Sequence, residues 1–97
     1  MITGFADQGS EDIYDGNDTR AARQTLPTPL WPIAVRKLDL LENAQELRDL
    51  AAPPSNRLEK LKGRLAGRYS IRINAQYRVV FAFESGQASE VQIVDYH

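Results

Sequence analysis

Apolar residues recur along this chain with two different periods, and the change between them separates a helical half from a strand half. From about Leu30, Ala34, Leu38 and Leu41 recur at helical spacing, with Leu40, Ala44, Leu47 and Ala51 forming a second row beside them. Together the rows predict one helix with a broad apolar face. Pro32 suits its first turn, and Pro53 and Pro54 cannot continue it. Ahead of it, "MITGFA" reads as a short strand. "SEDIYDGND" reads as a short helix with Ser10 as N-cap, acids in its first turn, and Gly16 and Asn17 as its stop. Pro27 and Pro29 break any helix through "TLPTPLWP".

Beyond residue 56 the period becomes two. "NRLEKLKG" predicts a strand with Leu58 on one face and Arg57 and Glu59 on the other. Tyr69, Ile71 and Ile73 then alternate with Arg68, Ser70 and Arg72, and Tyr77, Val79, Phe81 and Phe83 alternate with Arg78, Val80 and Ala82. A turn near Asn74 to Gln76 makes this pair a hairpin. "ESGQ" is a second turn, and "SEVQIVDYH" is a last strand with Val91 and Ile93 on one face. The order predicts an α+β fold: a short N-terminal strand and two helices packed on one face of an antiparallel sheet of about four strands. The other sheet face is left to polar residues.

Composition narrows the classes. Ninety-seven residues with 42% apolar content fit one domain spanning residues 1–97. No cysteine is present, which excludes disulfides and thiolate metal sites, and a single histidine, His97, cannot build a nitrogen-rich zinc site. Neither a metal nor a cofactor is expected. The N-terminus lacks the basic start and apolar run of a signal peptide, and no stretch approaches the roughly 18–20 apolar residues of a membrane span. A soluble, cytoplasmic protein without a membrane partner is the expectation.

The net charge of −1 conceals an asymmetry. Residues 1–30 carry Asp7, Glu11, Asp12, Asp15 and Asp18 against Arg20 and Arg23. Between residues 57 and 78, Arg57, Lys60, Lys62, Arg64, Arg68, Arg72 and Arg78 face one acid, Glu59. A basic patch of this kind attracts phosphate, although a solvated strand face accounts for the arginines equally well. No phosphate-binding glycine loop, nucleophile elbow or metal-ligand spacing occurs. The set Arg57, Glu59, Lys62, Arg68, Arg72, Arg78, Tyr96 and His97 nevertheless has the residue types for breaking a phosphodiester without metal. Such cleavage needs a base near the 2′-hydroxyl, cations where charge grows on the phosphate oxygens, and an acid for the departing 5′-oxygen. Arginine brings a planar fork and lysine a point charge, histidine titrates near neutrality, and tyrosine can stack on a base or donate a proton.

The chain resembles the HigB-type toxins of the RelE superfamily. The resemblance rests on "NRLEKLKG", on "SIRINAQYRVVF" and on the terminal "VDYH", preceded by "VRKLDLLENAQELRDLAAPP", and it covers nearly the whole chain. It implies a RelE-like fold and a type II toxin that enters the ribosomal A site and cuts mRNA. The cut would follow 2′-hydroxyl attack, leaving a 2′,3′-cyclic phosphate and a 5′-hydroxyl. Carried over by position, Lys62 and Arg78 correspond to the family's phosphate-stabilising pair, and Tyr96 and His97 to its C-terminal catalytic pair. Glu59 stands where many members have histidine, so either Glu59 or His97 is the base. Arg57, Lys60, Arg64, Arg68 and Arg72 are expected to bind RNA. The resemblance also implies a helix-turn-helix antitoxin of the HigA type, through which alone operator DNA would be bound. The acidic residues 7–18 are a candidate antitoxin-facing surface. Two further readings belong to other classes: a weak or degenerate toxin that chiefly binds its antitoxin and tunes operon repression, and an RNA-binding accessory domain without cleavage.

Overall fold

The computed structural model describes residues 1–96; the catalytic expectation for His97 lies outside the described residues. The fold is α+β, with helices against one face of a four-stranded antiparallel sheet. The first helix, α1 (Gln8–Asp15), begins one turn earlier than expected, because Asp7 and not Ser10 caps it: the Asp7 carboxylate accepts from the Ser10 backbone N–H at 2.7 Å. Gly16, at φ 79°, closes it in the left-handed conformation. A second helix, α2 (Arg20–Thr25), is an addition to the sequence reading. The Thr19 hydroxyl accepts from the Ala22 N–H at 3.0 Å to cap it, and donates to Asp12 Oδ2 at 2.7 Å, tying α2 to α1. The two approach so closely at Gly9 that a Cβ there would lie 2.6 Å from the Ala21 carbonyl oxygen.

The main helix, α3 (Trp31–Asn43), buries Ala34, Leu38 and Leu41, the first apolar row. The second row does not continue it. Ala44 is extended, and the Gln45 and Glu46 N–H groups donate to Asp49 Oδ2 at 3.1 and 3.0 Å, so side-chain acceptors replace helical carbonyls. A separate 3₁₀ turn, Leu47–Ala51, follows. Leu50 is buried in it, while Leu40 and Ala51 are exposed.

The sheet order is β1 (Glu59–Lys60), β2 (Tyr69–Arg72), β3 (Tyr77–Glu84) and β4 (Gln87–Asp95). The expected strand over "NRLEKLKG" shrinks to β1, since Arg57 takes a left-handed conformation at φ 47°. The turn from β2 to β3 forms where expected: Asn74 Oδ1 accepts from the Gln76 and Tyr77 N–H groups at 2.9 and 2.8 Å. Ser85 and Gly86 turn β3 into β4 with positive φ at both positions. A bulge at Glu90, φ 52°, shifts the register between Val80 and Ala82.

The predicted first strand is reduced to two parallel bridges, Ile2 to Ala88 and Phe5 to Val91. They cover the outer edge of β4, and the Ser10 hydroxyl extends the cover by accepting from the Ile93 N–H at 2.9 Å. Ile71, Ile73, Val79, Phe81 and Ile93 join the helices in the main core. The opposite face departs from the open polar surface expected of it. Ser70, Arg78 and Val80 are buried there, and Leu61 and Val80 are buried outside the main core cluster.

Candidate active site

Strand register creates the site. Arg78 on β3 lies directly across from Arg72 on β2, and Ser70 lies across from both Val80 and Glu59. Cross-strand partners share a face, so Glu59, Ser70, Arg72 and Arg78 are set on one surface. Two arginines directly opposite repel each other, and an acid one strand away relieves the repulsion. Glu59 supplies that acid: its Oε1 meets Arg78 Nη2 at 3.0 Å.

Arg78 is only 8% exposed, rare for a cation, and its guanidinium is correspondingly well partnered. Nη1 donates to Ser70 Oγ at 2.9 Å and to the Arg57 carbonyl at 3.2 Å. The left-handed conformation of Arg57 accompanies this use of its carbonyl, while its own side chain is exposed. The guanidinium carbon also sits 4.8 Å from the centre of the Tyr96 ring. Tyr96 is held there from behind: its N–H donates to the Gln76 carbonyl at 2.6 Å, and Gln76 Nε2 donates to Asp95 Oδ2 at 3.1 Å.

Lys62 occupies a loop anchored at its base by buried Leu61, whose N–H donates to the Arg68 carbonyl at 2.8 Å. The Lys62 side chain is exposed and makes no hydrogen bond or ion pair among the described residues, so its cation is available. Arg64 is exposed on the next turn, Gly63–Leu65, and Arg68 and Arg72 are half-buried. Lys60 is placed differently. It alternates with Glu59 in β1 and pairs with Tyr69, which puts it on the sheet face opposite Arg78.

The structure therefore gathers Glu59, Arg78 and Tyr96 by direct contact. It adds partners that sequence reasoning missed: the Ser70 hydroxyl, the Arg57 carbonyl and the Gln76 clamp. Strand alternation already set Ser70 on the face of Arg72, but only the register showed that it meets Arg78. The acidic stretch 7–18 is partly structural, because Asp7 caps α1 and Asp12 binds Gln8 and Thr19. A separate cleft of about 550 Å³, between α3 and Pro53 and Ile73, is lined by none of the site residues. On its wall Lys37 donates to Asn56 Oδ1, and burial, then the charge of Arg36, pulls its amine below the ordinary lysine range.

A family model for the RelE-like toxin of type II toxin-antitoxin system HigB matches residues 3–97. This chain belongs to the HigB toxin family. It is 40% identical to Toxin HigB-1 of Vibrio cholerae serotype O1 over 88 residues, covering 91% of this chain and 90% of that one. An uncharacterized protein of Haemophilus influenzae is 32% identical over 92% of this chain and 85% of its own length. Two structures of the YoeB-YefM toxin-antitoxin complex from Staphylococcus aureus share the fold. TM-scores are 0.61 and 0.59, at 21% and 23% identity, covering all of this chain and 95% of each matched chain. Among the described residues, no helix is long and apolar enough to cross a membrane, and no group of acidic or histidine side chains forms a metal cluster.

Proposed function

We propose that this type II toxin is a ribosome-dependent mRNA endoribonuclease, acting in the cytoplasm and neutralised by a HigA-type antitoxin. The observation that carries the reading is Arg78: a buried guanidinium on the face of the sheet that also presents Glu59 and Tyr96. Arg78 and Lys62 would stabilise the charge that grows on the phosphate oxygens as the 2′-hydroxyl attacks. Glu59 has one oxygen on Arg78 and is half-exposed, so its second oxygen can take the 2′-hydroxyl proton. His97 would protonate the leaving 5′-oxygen, with Tyr96 stacking beside it. The basic side chains of Arg57, Arg64, Arg68 and Arg72 would hold the RNA backbone, and Lys60 would contribute at the sheet edge.

Purified toxin added to programmed ribosomes should cut mRNA and leave 2′,3′-cyclic phosphate ends, and Arg78→Ala with His97→Ala should abolish both cleavage and growth arrest. Full toxicity of that double variant would disprove the assigned site. The binding-module reading is favoured by one feature, the Arg78–Glu59 pair, which occupies part of the proposed phosphate-binding fork in the free chain. Expression without antitoxin separates the two, since a pure binding module leaves growth and mRNA ends unchanged. Repression of the operon through antitoxin-bound operator DNA belongs to either reading.

A further inference from the structure

Ser70 has no place in the chemistry above, yet it is fully buried on the same sheet face as Arg78 and touches that buried cation. Its hydroxyl and the Arg57 carbonyl both accept from Arg78 Nη1, at 2.9 and 3.2 Å. Glu59 takes one hydrogen of Nη2. Among the described residues, the N–H bonds left without an acceptor are one on Nε and one on Nη2. We infer that Ser70 is a positioning residue for Arg78: by occupying Nη1 with the Arg57 carbonyl, it turns the guanidinium so that Nε and Nη2 face the scissile phosphate.

The inference rests on the cleavage reading and adds a division of labour to it. A guanidinium has several equivalent ways to meet phosphate, and free rotation about its bonds would spread them. Fixed acceptors on one nitrogen remove that freedom before substrate arrives, which is the preorganisation that makes charge stabilisation effective. Ser70 does this without charge. A second carboxylate at this position would compete with phosphate for the cation, whereas a hydroxyl orients it and leaves its charge for the substrate. The backbone of Ser70 is fixed on both sides, by pairing with Glu59 and with Val80, so the hydroxyl arises from the middle of the sheet.

The test combines single-turnover cleavage on programmed ribosomes with nuclear magnetic resonance of the Arg78 guanidinium in the free toxin. Ser70→Ala should lower the cleavage rate about tenfold or more with KM little changed, because Lys62 and the basic surface still bind RNA. Ser70→Thr, which keeps the hydroxyl, should recover most of the loss. In an Arg78→Lys background, with no guanidinium to orient, Ser70→Ala should add nothing. In the spectra, rotation about the Arg78 Cζ–Nη1 bond should be slow in the wild type and faster in Ser70→Ala. Unchanged rotation, or an equal loss from Ser70→Ala in both backgrounds, overturns the inference. A wild-type protein that cuts normally with Ser70→Ala unimpaired overturns it while leaving the cleavage reading intact. A wild-type protein that cuts nothing overturns the cleavage reading and the inference with it.

Discussion

The guanidinium of Arg78 lies over the ring of Tyr96, its carbon 4.8 Å from the ring centre, although the two residues are far apart in the sheet's chain order. β3 carries the first, and the chain just beyond β4 carries the second. The contact makes the ring and the hydroxyl of Tyr96 separately testable. Tyr96→Phe keeps the ring and should retain most of the cleavage rate, whereas Tyr96→Ala should lose about fivefold or more by releasing Arg78. Cleavage assays of both variants on programmed ribosomes decide this. If the phenylalanine variant fell as far as the alanine one, the hydroxyl would be the working part.

Glu59 can be tested against the pair it forms. Glu59→Gln keeps an oxygen acceptor for Arg78 Nη2 but cannot take a proton, so folding should persist while cleavage falls by about 10²–10⁴-fold. Glu59→Ala should show the same loss and also free Arg78. A glutamine variant with wild-type rates would move the base elsewhere and leave Glu59 as a partner for Arg78 only.

Gln76 ties Asp95 and Tyr96 to the β2–β3 turn. Its carbonyl receives the Tyr96 N–H, and its side chain reaches Asp95. Gln76→Ala removes the side-chain bond at an exposed position and should cost under about 1 kcal/mol of stability. Its effect should appear instead in faster hydrogen exchange at the Tyr96 amide and in slower cleavage. If exchange at Tyr96 stayed at the wild-type rate, the Gln76 side chain would have no part in holding the Tyr96 backbone.

Much of this architecture could be read from periodicity, because burial on one face imposes a repeat on residues such as Ala34, Leu38 and Leu41 or Ile71, Val79 and Phe81. What could not be read was decided by single hydrogen bonds. Asp7 outcompeted Ser10 as a cap, and Asp49 ended the long helix at Asn43 by capturing the two N–H groups of Gln45 and Glu46. The site followed the same division. Residue types and the family pattern pointed to Glu59, Lys62, Arg78 and Tyr96. Register, which joins positions far apart in sequence, was needed to find Ser70 beside Arg78 and to set Lys60 on the other face.

Asn56 should be the costliest polar residue to replace. It is fully buried; its Oδ1 accepts from Lys37 and its Nδ2 donates to the Leu50 and Ala52 carbonyls at 3.1 and 3.2 Å. Asn56→Ala leaves those groups without their partner and should destabilise the fold by about 2–4 kcal/mol in urea unfolding. The adjacent Arg57 carbonyl holds Arg78, so the variant should also cleave more slowly under conditions where it remains folded.

The alkaline limit of stability should be set in part by Tyr14, which joins α1 to α3. Its hydroxyl donates to Asp39 Oδ1 at 3.0 Å, and its ring lies 5.9 Å from that of Phe5. Burial pushes its ionisation up to about 12, helped by the hydrogen bond to Asp39 and then by the charges of Asp39, Glu42 and Asp15. A raised value means that between about pH 10 and 12 the folded chain holds a proton that the unfolded chain has released. The stability from Tyr14 is therefore complete below about pH 10 and is lost as pH rises through 12. Lys37, with its ionisation lowered, works in the opposite sense, since removing its proton relieves the cost of burying charge. Comparing wild type with Tyr14→Phe isolates the phenol: the stability difference between them should change across that window in the direction of wild-type loss. The phenolate absorbance missing from the variant should have its midpoint near pH 12. A midpoint near pH 10 would mean that Tyr14 is solvated like an ordinary phenol and that the Asp39 bond contributes little.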